Sequence, residues 1–142
     1  VVVFVSELLV TNLVKPELDA AATQKAQAQE AAEAQKAQQE REQQALQAQQ
    51  ASLQLERAKA GLKEANNQIN IVWNAASPDF RKALLAEQRT WLKQRDIECK
   101  LRATSASLET SDNDREVIRL QCEIDMTHQR TQTLKSQVLN AS

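Results

Sequence analysis

The residues best suited to chemistry or recognition lie around Trp91, on one predicted helix. Gln88 lies one turn before this tryptophan, and Arg95 and Asp96 lie one turn after it. The 3–4 spacing places them towards the buried face of the helix, where polar groups need partners. Two interpretations are open. The polar groups bond the neighbouring helices, or they form a charged recognition patch.

Under the first interpretation, Thr127 and Arg130 on the last predicted helix are the candidate partners. A catalytic carboxylate pair is not supported, because no motif places a second acid beside Asp96. His128 is the only histidine and has no second ligand at metal spacing, so we expect a partly exposed helix residue. We therefore expect no catalytic residue, no metal site and no cofactor.

Cys99 and Cys122 are the only cysteines. An even pair is compatible with one disulfide in an oxidising compartment or with two buried thiols in the cytosol. A zinc half-site would need ligands that the chain lacks. Cys99 as a nucleophile would need an oriented base, and nothing in the sequence orients His128.

Composition favours an all-helical protein that is not an enzyme. The 142 residues include one glycine and two prolines, too few for a turn-rich β sandwich or a glycine-rich phosphate loop. The 18 basic and 19 acidic residues give a net charge of -1. This charge does not favour a nucleic-acid partner.

Residues 1–16 form an apolar N-terminal segment, in which ten of the first fourteen residues are Val, Leu or Phe. Fourteen residues are too few to span a bilayer, which needs about 20. Three interpretations stand: the tail of a membrane anchor, an apolar helix that packs on a partner or a second copy, and a residual signal peptide. Lys15 and Pro16 predict the end of this element, because proline disfavours a helical residue before it.

Residues 17–60 predict a long helix rich in Ala and Gln, with good helix formers throughout. Large apolar residues are rare, so this segment is a solvated stalk or an oligomerisation segment. A narrow stripe at 3–4 spacing marks its expected contact face, and includes Ala45, Ala48, Ser52, Leu55, Lys59 and Leu62.

Residues 61–142 predict the folded domain. The first helix carries Ile69 and Trp73, the second runs from about Pro78 to Arg102, and the third follows a polar loop over residues 103–113. The third begins at a capping box, either Ser111 with Asp114 or Asn113 with Glu116, and runs to about Leu139.

The expected inward face of the second helix comprises Phe80, Leu84, Leu85, Gln88, Trp91, Leu92, Arg95 and Cys99. That of the third comprises Val117, Leu120, Ile124, Thr127, Thr131, Leu134 and Val138. The fold class is all-α: a small antiparallel bundle, a three-helix hairpin, preceded by the long Ala/Gln-rich helix. The antiparallel arrangement brings Cys99 near Cys122 and favours a disulfide.

Two strings in the last 80 residues, AEQRTWLKQRDIEC (86–99) and LQCEIDMTHQRTQTL (120–134), resemble the LprI-type lysozyme inhibitor domain over about residues 62–138. The matching positions are Asn70, Trp73, Gln88, Trp91, Arg95, Asp96, Cys99, Cys122, Thr127, Arg130 and Leu134. Trp73 replaces the usual tyrosine, and an earlier cysteine pair of the family is absent.

The resemblance implies a small helical bundle in the bacterial periplasm or envelope, often lipid- or membrane-anchored, and the inner membrane is the candidate membrane for this chain. It also implies the Cys99–Cys122 disulfide and a mainly structural role for the motif. Some members of the family inhibit lysozyme, so the implied partner is a protein, and inhibition would occur by occlusion.

C-type lysozymes are strongly cationic, which makes an acidic surface the candidate binding region. Acids cluster around the predicted loop and the start of the last helix: Glu109, Asp112, Asp114, Glu116 and Glu123. Simple helix capping is the alternative explanation. A second functional hypothesis is a structural or assembly protein. In that hypothesis the Ala/Gln helix self-associates, or the N-terminus docks to a membrane complex.

Overall fold

The computed structural model describes the backbone of residues 2–141 and the side chains of residues 16–141. Three helices, α1 (Val2–Ala75), α2 (Pro78–Thr104) and α3 (Asp112–Ala141), account for its regular structure, and no strand occurs in this range. The prediction of an all-α fold is confirmed. The chain divides between Gln47 and Ala48 into two units, which are considered separately below.

The first unit is the N-terminal part of α1, and its described side chains are exposed except for the half-buried Ala37. The prediction that an element ends at Lys15 and Pro16 is wrong, since α1 continues through Pro16. Proline removes one backbone donor but has a φ compatible with a helix, and the Ala- and Gln-rich sequence after it has high helix propensity.

The three interpretations of residues 1–14 depend on side chains that lie outside the described residues. Among the residues that were described, no helix has the length and hydropathy needed to cross a bilayer.

The second unit begins with a seam along α1 that packs on the other two helices. Its buried and half-buried residues alternate at spacings of four and three: Ala51, Leu55, Ala58, Leu62, Ala65, Ile69 and Val72. The predicted stripe is therefore only partly correct, because Ala48, Ser52 and Lys59 are exposed. The predicted stripe contained alanine at positions 45 and 48, whereas the seam has alanine at positions 51, 58 and 65.

Small residues on α1 allow α3 to approach closely. A Cβ atom built on Gly61 would lie 3.0 Å from Ile124 Cδ1, and Ala65 is completely buried. Ile124 thus occupies space that a side chain at position 61 would take. This contact explains the only glycine of the chain by a close approach between helices and not by a turn.

Both predicted helix starts are confirmed. The Ser77 hydroxyl accepts a hydrogen bond from the Phe80 backbone N–H at 3.2 Å, with Pro78 at the first helical position. The Ser111 hydroxyl accepts one from the Asp114 N–H at 3.1 Å. Of the two starts considered for α3, this bond shows the one with Ser111 as the N-cap residue.

The inward face of α3 agrees with the prediction, since Leu120, Ile124 and Leu134 are buried together with two threonines. The hydroxyls of Thr127 and Thr131 donate to backbone carbonyls one turn earlier, at 2.6 and 2.7 Å. These bonds satisfy polar groups that could not otherwise be buried.

The expected face of α2 is partly wrong. Leu85 and Leu92 are each 40% exposed, whereas the Cys99 side chain is fully buried. One face of α2 packs against the rest of the bundle, and both leucines lie at the margin of that face.

Cys99 and Cys122 form a disulfide between α2 and α3, with Cα atoms 5.4 Å apart. The Met126 sulfur lies 3.6 Å from Cys99 Sγ. The bond joins the C-terminal part of α2 to the N-terminal part of α3, and so fixes the two helix ends that flank the connecting loop.

Candidate functional site

The loop between α2 and α3 presents an exposed apolar residue at its tip. The Ser107 carbonyl accepts from the Thr110 N–H at 2.9 Å, and the hydroxyls of the same two residues lie 3.1 Å apart. These bonds close a turn with Leu108 and Glu109 at its centre. Leu108 is 98% exposed, the highest value among the large apolar side chains described.

Arg115 on α3 holds this loop through four carbonyl groups. One guanidinium nitrogen donates to the carbonyls of Ala103 and Thr104, at 3.0 and 3.3 Å. The other donates to those of Ala106 and Ser107, at 3.4 and 2.8 Å. The positive charge also compensates the free carbonyls at the C-terminal end of α2. The loop conformation is therefore fixed by side-chain bonds.

Three of the five predicted acids surround the loop in exposed positions: Glu109, Asp112 and Asp114. The two others bond Arg119, as both Glu116 and the buried Glu123 accept from its guanidinium, Glu123 at 2.9 Å. The hydrogen bond from Arg119 lowers the pKa of Glu116, and the same bond raises the pKa of Arg119. The exposed acidic surface is thus smaller than the predicted cluster.

Arg95 connects all three helices of the second unit. Its Nη1 donates to Asn66 Oδ1 on α1 and to Thr127 Oγ1 on α3, both at 3.2 Å. The guanidinium carbon lies 5.4 Å from the centre of the Trp91 ring, in a cation–π arrangement. The expectation that Arg95 bonds neighbouring helices is confirmed, with Thr127 as one partner.

A second inter-helix bond joins Arg130 to Gln88, from Nε to Oε1 at 2.9 Å, and Arg130 also donates to Glu87 at 3.3 Å. Asp96 differs from the expectation for this group. Its side chain is 60% exposed, and its described partner is Arg95 on the same helix. Residue 96 faces outward because successive residues of an α-helix are rotated by about 100°, which turns Asp96 away from the inward face that Arg95 occupies.

An open groove of about 460 Å³ lies between α1 and α2 within the second unit. The half-buried rings of Trp73 and Trp91 line it, together with Asn70, Gln88 and Arg89. Most of the motif positions singled out in the sequence thus lie either along this groove or in the bonds that position its walls. Leu134 is different, as it is fully buried in the bundle.

Three residues with clear structural roles, Asn66, Arg115 and Arg119, and the exposed Leu108 were not predicted from the sequence. Asn66 had a weak signal, since it precedes Asn70 by one helical turn. Arg115 had none, because a bond to backbone carbonyls leaves no pattern of residue types. Leu108 had one signal, since it is the only large apolar residue in the polar loop of residues 103–113.

Comparison with known proteins places the chain in a family. Its sequence matches the family described as lysozyme inhibitor LprI over residues 11–134. The match begins well before the resemblance noted above and includes the Ala/Gln-rich part of α1. No curated protein matches the chain, and no solved structure matches it. Because the match covers most of the sequence, the chain belongs to the LprI lysozyme inhibitor family.

Proposed function

We propose that this protein inhibits lysozyme by occlusion, with the loop between α2 and α3 as the contact surface. Family membership supports the inhibitory role. The observation that carries the choice of surface is Leu108, an almost fully exposed apolar side chain at the tip of a turn. An apolar anchor of this kind gains free energy when a partner's cleft removes it from water.

The loop is suited to binding because its conformation is already fixed. Arg115 bonds four carbonyls, and the Cys99–Cys122 disulfide ties together the helix ends on either side. A loop held in one conformation loses less conformational entropy when it binds. Glu109, Asp112 and Asp114 add negative charge around Leu108, which suits a cationic enzyme and increases the rate of encounter.

The proposed location is the bacterial envelope, in the oxidising space outside the cytoplasm. The disulfide supports this location, since such bonds persist where thiols are not kept reduced. Family membership supports it as well. A tether to the inner membrane through the N-terminal residues is a further part of this proposal, and the protein acts on its partner without turning it over.

A lysis assay with the full chain tests the proposal. Lysozyme is added to a suspension of sensitive cells, and turbidity is followed at increasing concentrations of the protein. We expect dose-dependent protection, which Leu108→Asp reduces at least tenfold. Ile97→Asp is the matched control, because Ile97 is an exposed apolar residue on α2, 61% exposed and outside the loop. Equal protection by both variants would refute the loop as the contact surface.

Self-association through α1 is the second candidate function. The observation that favours it is the exposure of nearly every described side chain between Pro16 and Gln50, in a helix rich in small alanines. Side-by-side packing with another copy would bury these alanines. Sedimentation equilibrium of the full chain over a hundredfold concentration range tests this, and a constant monomer mass would exclude it.

A further inference from the structure

We infer that the groove between α1 and α2 is a carbohydrate site for an acidic, N-acetylated oligosaccharide. This function is separate from the proposed inhibition and uses a different surface. The groove has a volume of about 460 Å³, within the usual range for small-molecule sites.

The first argument is that internal bonds orient the amides of the groove. Asn66 Oδ1 accepts from Arg95, and Gln88 Oε1 accepts from Arg130. Both carbonyl oxygens are therefore occupied by arginine donors, and each amide retains its NH2 group. Because Asn66 and Gln88 both line the groove, their NH2 groups are able to donate hydrogen bonds to a ligand.

The second argument is charge. The groove lining contains Arg89 and Arg95 but no carboxylate. Arg95 is bonded to Asn66, Asp96 and Thr127. Arg89 is exposed and forms no ion pair with the side chains that the structure describes. It is thus available for a ligand carboxylate, which a guanidinium binds with two parallel hydrogen bonds.

The third argument is the pair of tryptophans. Trp73 and Trp91 are half-buried and both line the groove, so each retains exposed ring surface, and on Trp91 the Arg95 guanidinium lies over one face of the ring. The negative face of an indole ring attracts the positively polarised C–H groups on one face of a pyranose ring. Donor amides, a free guanidinium and two indoles together suit a sugar that has acceptor oxygens: a carboxylate and an acetamido carbonyl.

Intrinsic fluorescence measures binding directly, because Trp73 and Trp91 are the only tryptophans and the chain has no tyrosine. The full chain is titrated with a tetrasaccharide of alternating N-acetylglucosamine and N-acetylmuramic acid. Chitotetraose, of equal length but uncharged, is the comparison ligand, and isothermal calorimetry gives an independent measurement. We expect the acidic tetrasaccharide to bind about fivefold more tightly, the upper range for one partly exposed ion pair.

Arg89→Gln should abolish this fivefold preference while binding of chitotetraose is retained. The matched control is Arg102→Gln, since Arg102 is an exposed arginine of α2 outside the groove. Three outcomes would overturn the inference. The first is that neither sugar binds at millimolar concentration, and the second is that Arg89→Gln keeps the parent's preference for the acidic tetrasaccharide. The third is that Arg89→Gln loses lysozyme inhibition although the protein binds no sugar. The last outcome would assign the groove to the protein partner.

Discussion

Arg95 on α2 donates a hydrogen bond to the fully buried Thr127 hydroxyl on α3, and the same nitrogen donates to Asn66 on α1. One side chain therefore joins three helices at the centre of the bundle. The Thr127 hydroxyl in turn donates to the Glu123 carbonyl at 2.6 Å, so it both accepts and donates a hydrogen bond. Loss of Arg95 removes a donor from the buried Thr127 hydroxyl and from the half-buried Asn66 amide.

The first prediction concerns this arginine. We expect Arg95→Ala to lower the free energy of unfolding by about 2–3 kcal/mol, because the buried Thr127 oxygen and the half-buried Asn66 oxygen lose a donor and the contact with the Trp91 ring is lost. Urea denaturation followed by circular dichroism measures it. Arg102→Ala is the control, as Arg102 forms an exposed pair with Glu98, and should change the value by less than about 0.5 kcal/mol. Equal effects would contradict a special role for Arg95.

The second prediction concerns the disulfide. Cys99 and Cys122 are separated by 23 residues, and closing a loop of this length stabilises a protein by roughly 3 kcal/mol in the chain-entropy model. Reduction with dithiothreitol, or the double substitution to alanine, should lower the urea midpoint accordingly. Because the bond also fixes the helix ends beside the loop, lysozyme inhibition should fall as well. If a reduced sample stays folded and inhibits lysozyme as well as the oxidised protein, the conformation of the loop does not depend on the disulfide.

The sequence was sufficient to predict α2 and α3, because their starts carry cap signals and the apolar residues of α3 repeat every three to four positions. It was insufficient for α1. The seam there uses Ala51, Ala58 and Ala65, which do not stand out in a helix that has 14 alanines in residues 20–60 alone. Pro16 also predicted a helix end, which the high helix propensity of the residues after it overrides.

The polar residues of the candidate site were predictable only where their residue types stand out from their neighbours. Arg95, Gln88 and Arg130 carry charge or amides on an otherwise apolar face, so a need for partners was evident. The role of Arg115 was not predictable, because its partners are backbone carbonyls and every residue has one. Glu116 and Glu123 both pair with Arg119, and these spacings of three and four residues do not stand out among the other charged residues of α3.

The third prediction concerns acid stability. The pKa of Glu116 is lowered in the folded protein by its hydrogen bond from Arg119, from an ordinary value of 4.5. A lowered folded pKa means that the contribution is complete above about pH 4.5 and is lost as the pH falls through the folded value. Glu116 is partly exposed, so we expect less than about 1 kcal/mol.

The variant Glu116→Gln tests this sign. Its free energy of unfolding should be lower than that of the parent at pH 7, and the two should converge once the pH falls below the lowered pKa of Glu116 in the folded protein, where both side chains are neutral. Asp125→Gln is an acidic control on the exposed side of α3, where Asp125 accepts only from Gln121 one turn earlier. A difference between Glu116→Gln and the parent that persists unchanged at low pH would assign the effect to packing instead of ionisation.

The fourth prediction concerns the acids beside the loop. Asp112 and Asp114 lie exposed in the first turn of α3, where they also favour the positive end of the helix. If they attract a cationic lysozyme, Asp112→Asn with Asp114→Asn should slow association several-fold at low salt. The difference should diminish as ionic strength rises, because salt screens exposed charges. Surface plasmon resonance over a salt series gives the association rate directly.

Asp79→Asn in the first turn of α2 is the matched control, because it removes the same kind of helix-end charge away from the loop. If both sets of variants lose only stability and associate with lysozyme at the parental rate, these acids act as helix-terminal residues and the encounter is not steered by them.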